Sequence, residues 1–231
     1  MIVAIDGPAG AGKSTTAREV AERFGLAYID TGAMYRAVAL AAAERGLCLP
    51  HDAAAIIALA HALPIALRER GRRVFIGERD VSAAIRSAAI GQRASEIAAL
   101  AGVREAMVEQ QRRLAEYSQG ECGGAVLEGR DIQTVVCPQA EVKIFLTAAP
   151  HTRAERRLAQ WRAQGSTPDL ETAQRDIGVR DARDSAREVA PLRAAPDAVL
   201  LSTDDLSPAA VVDRIAEIIQ SKRGGYESNC R

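Results

Sequence analysis

The sequence predicts an α/β fold in which a parallel sheet is covered by helices on both faces. Three observations carry this. Short apolar, β-rich runs recur along the chain, each followed by polar residues and a helical stretch, the alternation of parallel strands with their crossovers. The first run leads through a glycine-rich loop directly into the first helix. The interval between the second and third core runs, roughly residues 31–124, is far longer than one crossover and must hold an inserted subdomain.

A chain of 231 residues suits one such domain with an insertion, because two independent cores would be cramped. Hydrophobic residues at 48% and charged residues at 26% exclude a disordered chain. With 30 basic and 30 acidic groups there is no whole-molecule field for nucleic acid or an anionic membrane, and neither is expected as a partner. Aromatic residues make up 3% and alanine about a fifth, so helices must pack through small side chains and Leu, Ile and Val. Cys48, Cys122, Cys137 and Cys230 fall in no CxxC or metal-type spacing and read as free thiols. Met1 is followed at once by a short apolar run, with no basic leader and no span approaching about 18 apolar residues; a cytoplasmic protein is expected.

Taken in order, residues 2–5 form a buried strand that stops at Asp6-Gly7-Pro8, where Gly and Pro punctuate a turn. Ala17, Val20, Ala21 and Phe24 recur at helical spacing after Lys13, and Gly25 closes that helix. Residues 27–29 are a second strand, and Thr31-Gly32 lead into an alanine-rich helix over about 33–44. Between 50 and 90 the texture changes. A short helix over 53–62 precedes Pro64-Ile65-Ala66-Leu67, a charged turn over 68–73 containing Gly71, then Val74-Phe75-Ile76 and Gly77-Glu78-Arg79-Asp80-Val81, which reads as a small antiparallel meander. One continuous helix is expected over 91–117. Runs at 125–127, 142–146 and 198–201 supply three more core strands, and 224–231 reads as a disordered tail.

The loop Gly7-Pro8-Ala9-Gly10-Ala11-Gly12-Lys13-Ser14 fits G-x-x-x-x-G-K-[ST], in which backbone N–H groups surround phosphate oxygens at a helix N-terminus. In such a loop Lys13 neutralises the donor phosphates, Ser14 offers its hydroxyl to Mg²⁺, and Thr15 extends the nucleotide contacts. Lysine occurs only at Lys13, Lys143 and Lys222, so its place here is not solubility filler. No Asn-Lys-x-Asp guanine motif exists, the single asparagine being Asn229, which argues against a GTPase. A motor or translocase would need a longer chain and a basic surface.

Arginines dominate the later helices. Arg180, Arg183, Asp184 and Arg187 stand at i, i+3, i+4 and i+7, on one helical face, and Arg153, Arg156 and Arg157 repeat the arrangement earlier. In a phosphate-loop protein such faces grip phosphoryl oxygens, because guanidinium is a permanently charged, two-pronged donor. Glu128-Gly129-Arg130-Asp131 and Asp30-Thr31-Gly32-Ala33-Met34-Tyr35-Arg36 each follow a core strand at its carboxyl end, where ligands of such sheets bind. His51, His61 and His151 lie outside every motif and read as structural or exposed.

The loop IDGPAGAGKST, then DTGAMYR, then GRD with TVVCP and KIFL, then the segment from Arg180 to Leu192 together resemble the bacterial cytidylate kinases, in order over nearly the whole chain. The resemblance implies a phosphate-loop kinase with a five-stranded parallel sheet flanked by helices, an inserted nucleoside-monophosphate-binding subdomain and a mobile lid. Its core would be 1–49, 92–150 and 189–223, its insertion about 50–91, and its lid with the arginine-rich helix about 151–188. It implies transfer of the ATP γ-phosphoryl group to CMP or dCMP with Mg²⁺. Lys13, Arg130, Arg156, Arg157 and Arg180 would serve the transfer, and Arg153 would join the lid. Thr31, Tyr35, Arg36, Arg130, Arg180, Asp184 and Arg187 would hold the acceptor, and Ser95, Arg104 and Asp131 would read the cytosine. Trp161, just before a mobile connection at 165–168, would report lid closure. A monomer is expected. A phosphate-loop kinase of another small acceptor, such as UMP, shikimate or dephospho-coenzyme A, is the alternative.

Overall fold

The structure is a computed structural model and describes residues 1–228 except 164, 166 and 188. The five core strands β1 (Ile2–Asp6), β2 (Ala27–Asp30), β6 (Ala125–Gly129), β7 (Val142–Thr147) and β8 (Val199–Ser202) form one sheet in the order β2-β6-β1-β7-β8, parallel throughout. Central β1 is buried along its whole length, as an unbroken apolar run requires of a strand covered on both faces. Val3 and Ile5 pack with Val20 of α1 (Lys13–Phe24) and with Val211 and Ile215 of α8 (Pro208–Ser228) on one face. Ile2 and Ala4 pack with Leu127 and Ala115 on the other. The insertion carries α3 (Ala53–Ala62) and an antiparallel sheet of β3 (Ile65–Arg68), β4 (Arg73–Ile76) and β5 (Arg79–Asp80). Among the described residues no helix is long and apolar enough to cross a membrane.

Helix α2 (Thr31–Glu44) starts earlier than its apolar pattern indicates, because the Asp30 carboxylate accepts from Ala33 N–H at 2.8 Å and caps it. Its small residues let it bury nearly all round: Met34, Val38 and Ala42 meet one apolar cluster, and Ala33, Ala37 and Leu40 another.

The single helix expected over 91–117 is two helices, α4 (Ala88–Ile97) and α5 (Ala101–Cys122). Ser87 caps the first through Ile90 N–H, Leu100 turns extended, and Arg104 donates to the Ala98 carbonyl at 3.3 Å in the break. Helical periodicity alone cannot register such a break, since apolar spacing continues across it. A single π-helical turn (Ile132–Val136) follows β6, held by Asp6, whose carboxylate accepts from Ile132 and Gln133 N–H at 3.0 and 2.9 Å. The arginine-rich pair is α6 (Pro150–Ala163) and α7 (Leu170–Ser185); the connection expected to be mobile includes residues outside those described. Helix α8 continues through Ser228, into the stretch read as a disordered tail, and 229–231 lie outside the described residues.

Candidate active site

A crevice of about 700 Å³ opens over the carboxyl ends of β1, β2 and β6, with α2, α4, α6 and α7 around it. Its floor is the phosphate loop, where Ala9, Gly10, Ala11, Gly12, Lys13, Ser14 and Thr15 line the space. Gly7 and Pro8 do not line it; they set the loop from behind. A Cβ on Gly7 would lie 2.1 Å from the Leu146 carbonyl oxygen, and one on Gly10 2.8 Å from that of Arg153, both at φ values suited to glycine, +150° and +79°. Lys13 Nζ donates to the Pro8 carbonyl at 2.8 Å. Burial, and then the Arg130 charge, push its ammonium down to about 7.

Beside the loop lies Glu128, the first residue of the Glu128-Gly129-Arg130-Asp131 segment, to which the sequence assigns no role. Glu128 is buried near the carboxyl end of β6, accepts from Tyr28 Oη at 2.5 Å and is hydrogen-bonded by the Ser14 hydroxyl. Burial, then Asp30, raise its carboxyl. Burial also raises the Asp6 carboxyl to about 6 against its two backbone donors. A lone acid inside an apolar strand is a weak sequence signal; the clue was its position, directly before Gly129-Arg130-Asp131. The Ser14 hydroxyl and the Glu128 carboxyl are oxygen donors, the ligand type that suits a hard divalent cation. Among the described residues no group of three or more His, Cys, Asp or Glu could hold a metal ion.

The opposite wall is guanidinium. Arg130 Nε donates to Asp184 Oδ2 at 2.8 Å, and Arg187 meets the other oxygen of that carboxylate. Burial would raise Asp184, but Arg130 and Arg187 hold it below its ordinary value; burial works against the Arg130 cation, and Asp184 more than offsets it. Arg104 and Asp131, 4% and 6% exposed, form a buried ion pair, with the Arg104 guanidinium 5.7 Å from the Tyr35 ring centroid. Arg104 Nε and Arg187 Nε are buried without a partner among the described residues, so both guanidiniums have a donor to spare. Arg36 Nη1 donates to the Ile85 carbonyl at 3.0 Å, and Thr31 Oγ1 to that of Glu128 at 2.6 Å. Burial, then Arg157, lower Arg180 to about 10.

Thr31, Tyr35, Arg36, Ser95, Arg104, Arg130, Asp131, Arg156, Arg157, Arg180, Asp184 and Arg187 all reach this one crevice. Arg153 does not. It is buried, donates to the Ala9 carbonyl at 3.2 Å and pairs with Asp181 at 2.5 Å, so it ties the phosphate loop to α6 and α7. Arg156 binds the Thr203 hydroxyl and carbonyl at 2.8 and 2.7 Å, and Arg157 approaches Asp176 at 3.3 Å. Arg18, Arg86, Gln160 and Thr203 also line the space; they lie outside the motifs and carry no local signal. None of the three histidines lines it.

The family model described as cytidylate kinase matches residues 3–221. A cytidylate kinase of Exiguobacterium sibiricum is 49% identical over 220 residues, 94% of this chain and 96% of that one. One of Salinibacter ruber is 43% identical over 224 residues, 97% and 99% of the two chains. A bifunctional pantoate ligase/cytidylate kinase of a Synechococcus species is 46% identical over 222 residues, 94% of this chain and 40% of that protein. The solved structure of an uncharacterized protein from Eubacterium ventriosum has a TM-score of 0.53 at 12% identity, covering 96% and 99% of the chains, a likeness of fold alone.

Proposed function

From the premise that the chain belongs to the cytidylate kinase family, we propose how this crevice performs the family's reaction. The chain is an ATP-dependent kinase that transfers a phosphoryl group to CMP or dCMP, giving ADP and CDP or dCDP. Phosphoryl transfer asks little covalent chemistry of a protein; alignment and neutralisation of a loose transition state supply most of the rate. The loop N–H groups and Lys13 hold the donor phosphates. Ser14 and Glu128 are the residues that would hold Mg²⁺, which when bound neutralises charge between those phosphates. Arg36 and Arg130 hold the acceptor phosphate, Asp184, Arg187 and Thr31 its ribose end, and Arg156, Arg157 and Arg180 meet the charge developing in transfer.

The observation that carries the acceptor reading is the buried Arg104–Asp131 pair. Cytosine presents an amine donor at position 4 and acceptors at N3 and O2, whereas uracil presents an acceptor at position 4 and a donor at N3. A carboxylate accepting and a guanidinium donating match the first edge and oppose the second, with Ser95 adding a hydroxyl. The test is coupled detection of ADP with ATP and each acceptor in turn. CMP and dCMP are expected to give the highest kcat/KM; higher turnover of UMP, shikimate or dephospho-coenzyme A would overturn the reading.

A further inference from the structure

Arg183 shares a helical face with Arg180 and Asp184, yet does not line the crevice. Its Nη1 instead donates to Ser95 Oγ on α4 at 3.0 Å. One turn earlier, Arg180 Nη2 donates to the Gly91 carbonyl at 3.2 Å. Gly91 and Ser95 are themselves one turn apart on α4, so two parallel rungs tie the arginine-rich helix to the helix that carries Ser95. Among the described residues Arg183 has no carboxylate partner, and this contact is its defined interaction.

The two rungs act on the same hydroxyl. A serine inside a helix ordinarily donates back to the carbonyl four residues earlier, here that of Gly91. Arg180 already donates to that carbonyl, and Ser95 makes no such bond. Guanidinium is a donor only, so Arg183 takes one lone pair of the Ser95 oxygen and leaves its hydrogen and one lone pair for the crevice. From this geometry we infer that Arg183 is a positioning residue for base selection: it fixes the Ser95 hydroxyl toward the nucleobase and links the base subsite to the helix that carries the phosphate grip. The inference rests on Ser95 belonging to the base subsite. Without Arg183 the hydroxyl is free to rotate, and its preference for one base edge relaxes.

The test is kcat and KM for CMP and for UMP in the parent protein, Arg183→Met, Arg183→Lys, Ser95→Ala and the Arg183→Met/Ser95→Ala double variant. Arg183→Met and Ser95→Ala are each expected to shrink the CMP over UMP preference about tenfold, the scale of one charge-assisted hydrogen bond. The loss falls mainly on KM for CMP. The double variant loses no more preference than either single one, and Arg183→Lys, which keeps a charged donor, recovers most of it. If Ser95→Ala shrinks the preference while Arg183→Met lowers CMP and UMP turnover alike, Arg183 has no part in selection. Additive losses in the double variant overturn the inference equally. If neither single variant moves the preference, the base-subsite reading of Ser95 falls, and the inference with it.

Discussion

Lys13 meets two opposed demands: it must be charged to neutralise phosphate, yet burial and Arg130 push its ammonium down to about 7. Donor phosphates reverse that shift, so ATP binding at pH 8 should take up a proton. Calorimetry in buffers of different ionisation enthalpy reads the uptake, and Lys13→Ala should abolish it. In the nucleotide-free protein the sign for stability is also set. Between about 7 and the ordinary 10.5 the unfolded chain binds a proton at Lys13 that the folded one does not, so the contribution of this group rises with pH across that window and is lost as pH falls through 7. The same substitution should lower turnover by roughly 10²–10⁴ while sparing CMP affinity. At the base subsite, Asp131→Asn and Arg104→Met should each reduce kcat/KM for CMP and shrink the CMP over UMP preference by roughly 5- to 100-fold, the cost of a mismatched buried polar group. An equal loss on both acceptors would assign the pair to holding the fold. Residues of this kind were legible unevenly. Lys13 and Ser14 follow from a motif with its own physics, whereas Ser95, Arg104 and Asp131 follow only from family resemblance. Glu128 stands in a segment the sequence marks, but its role is not legible there, because one acid at the end of an apolar strand has no pattern of its own.

At the scale of elements, α6 and α7 form a pair whose small core is Leu158, Trp161, Ala173 and Ile177. Trp161 is 8% exposed, with the Arg157 guanidinium 4.7 Å from its ring centroid. Arg157 also lines the crevice, so its movement toward phosphate removes a cation from the indole. Emission should therefore change when ATP and CMP, or a bisubstrate mimic, are bound. Arg157→Ala should change it in the free protein and remove the ligand response; an unchanged spectrum with saturation confirmed by calorimetry would place the moving element elsewhere. Strand periodicity, glycine punctuation and the loop motif identified all five core strands. The break between α4 and α5 was not legible, because apolar spacing runs across it and neither the extended turn at Leu100 nor the Arg104 bond to the Ala98 carbonyl leaves a mark in the sequence pattern.

For the whole molecule, a formal charge of zero conceals a strong local field. Nine arginines and Lys13 line the crevice against four carboxylates, Asp30, Glu128, Asp131 and Asp184. Steering should therefore be local: kcat/KM for CMP should fall as salt is raised from about 0.01 to 0.5 M, where the screening length shrinks from about 30 Å to a few ångströms. A salt-independent value would show that the ion pairs inside the crevice already cancel the field. The crossing of α2 between two apolar clusters has a further consequence. Alanine has no side-chain rotamers to lose, so Ala37, Ala39 and Ala42 give α2 close-packed surface at little entropic cost, while Met34, Val38 and Leu40 interlock it with its neighbours. Such a helix is an axle fixed to both wheels. It tolerates little enlargement at Ala37, Ala39 or Ala42, and Ile56, Val74 and Ile85 in the two clusters are as fully buried, so a larger side chain on α2 disturbs both clusters at once.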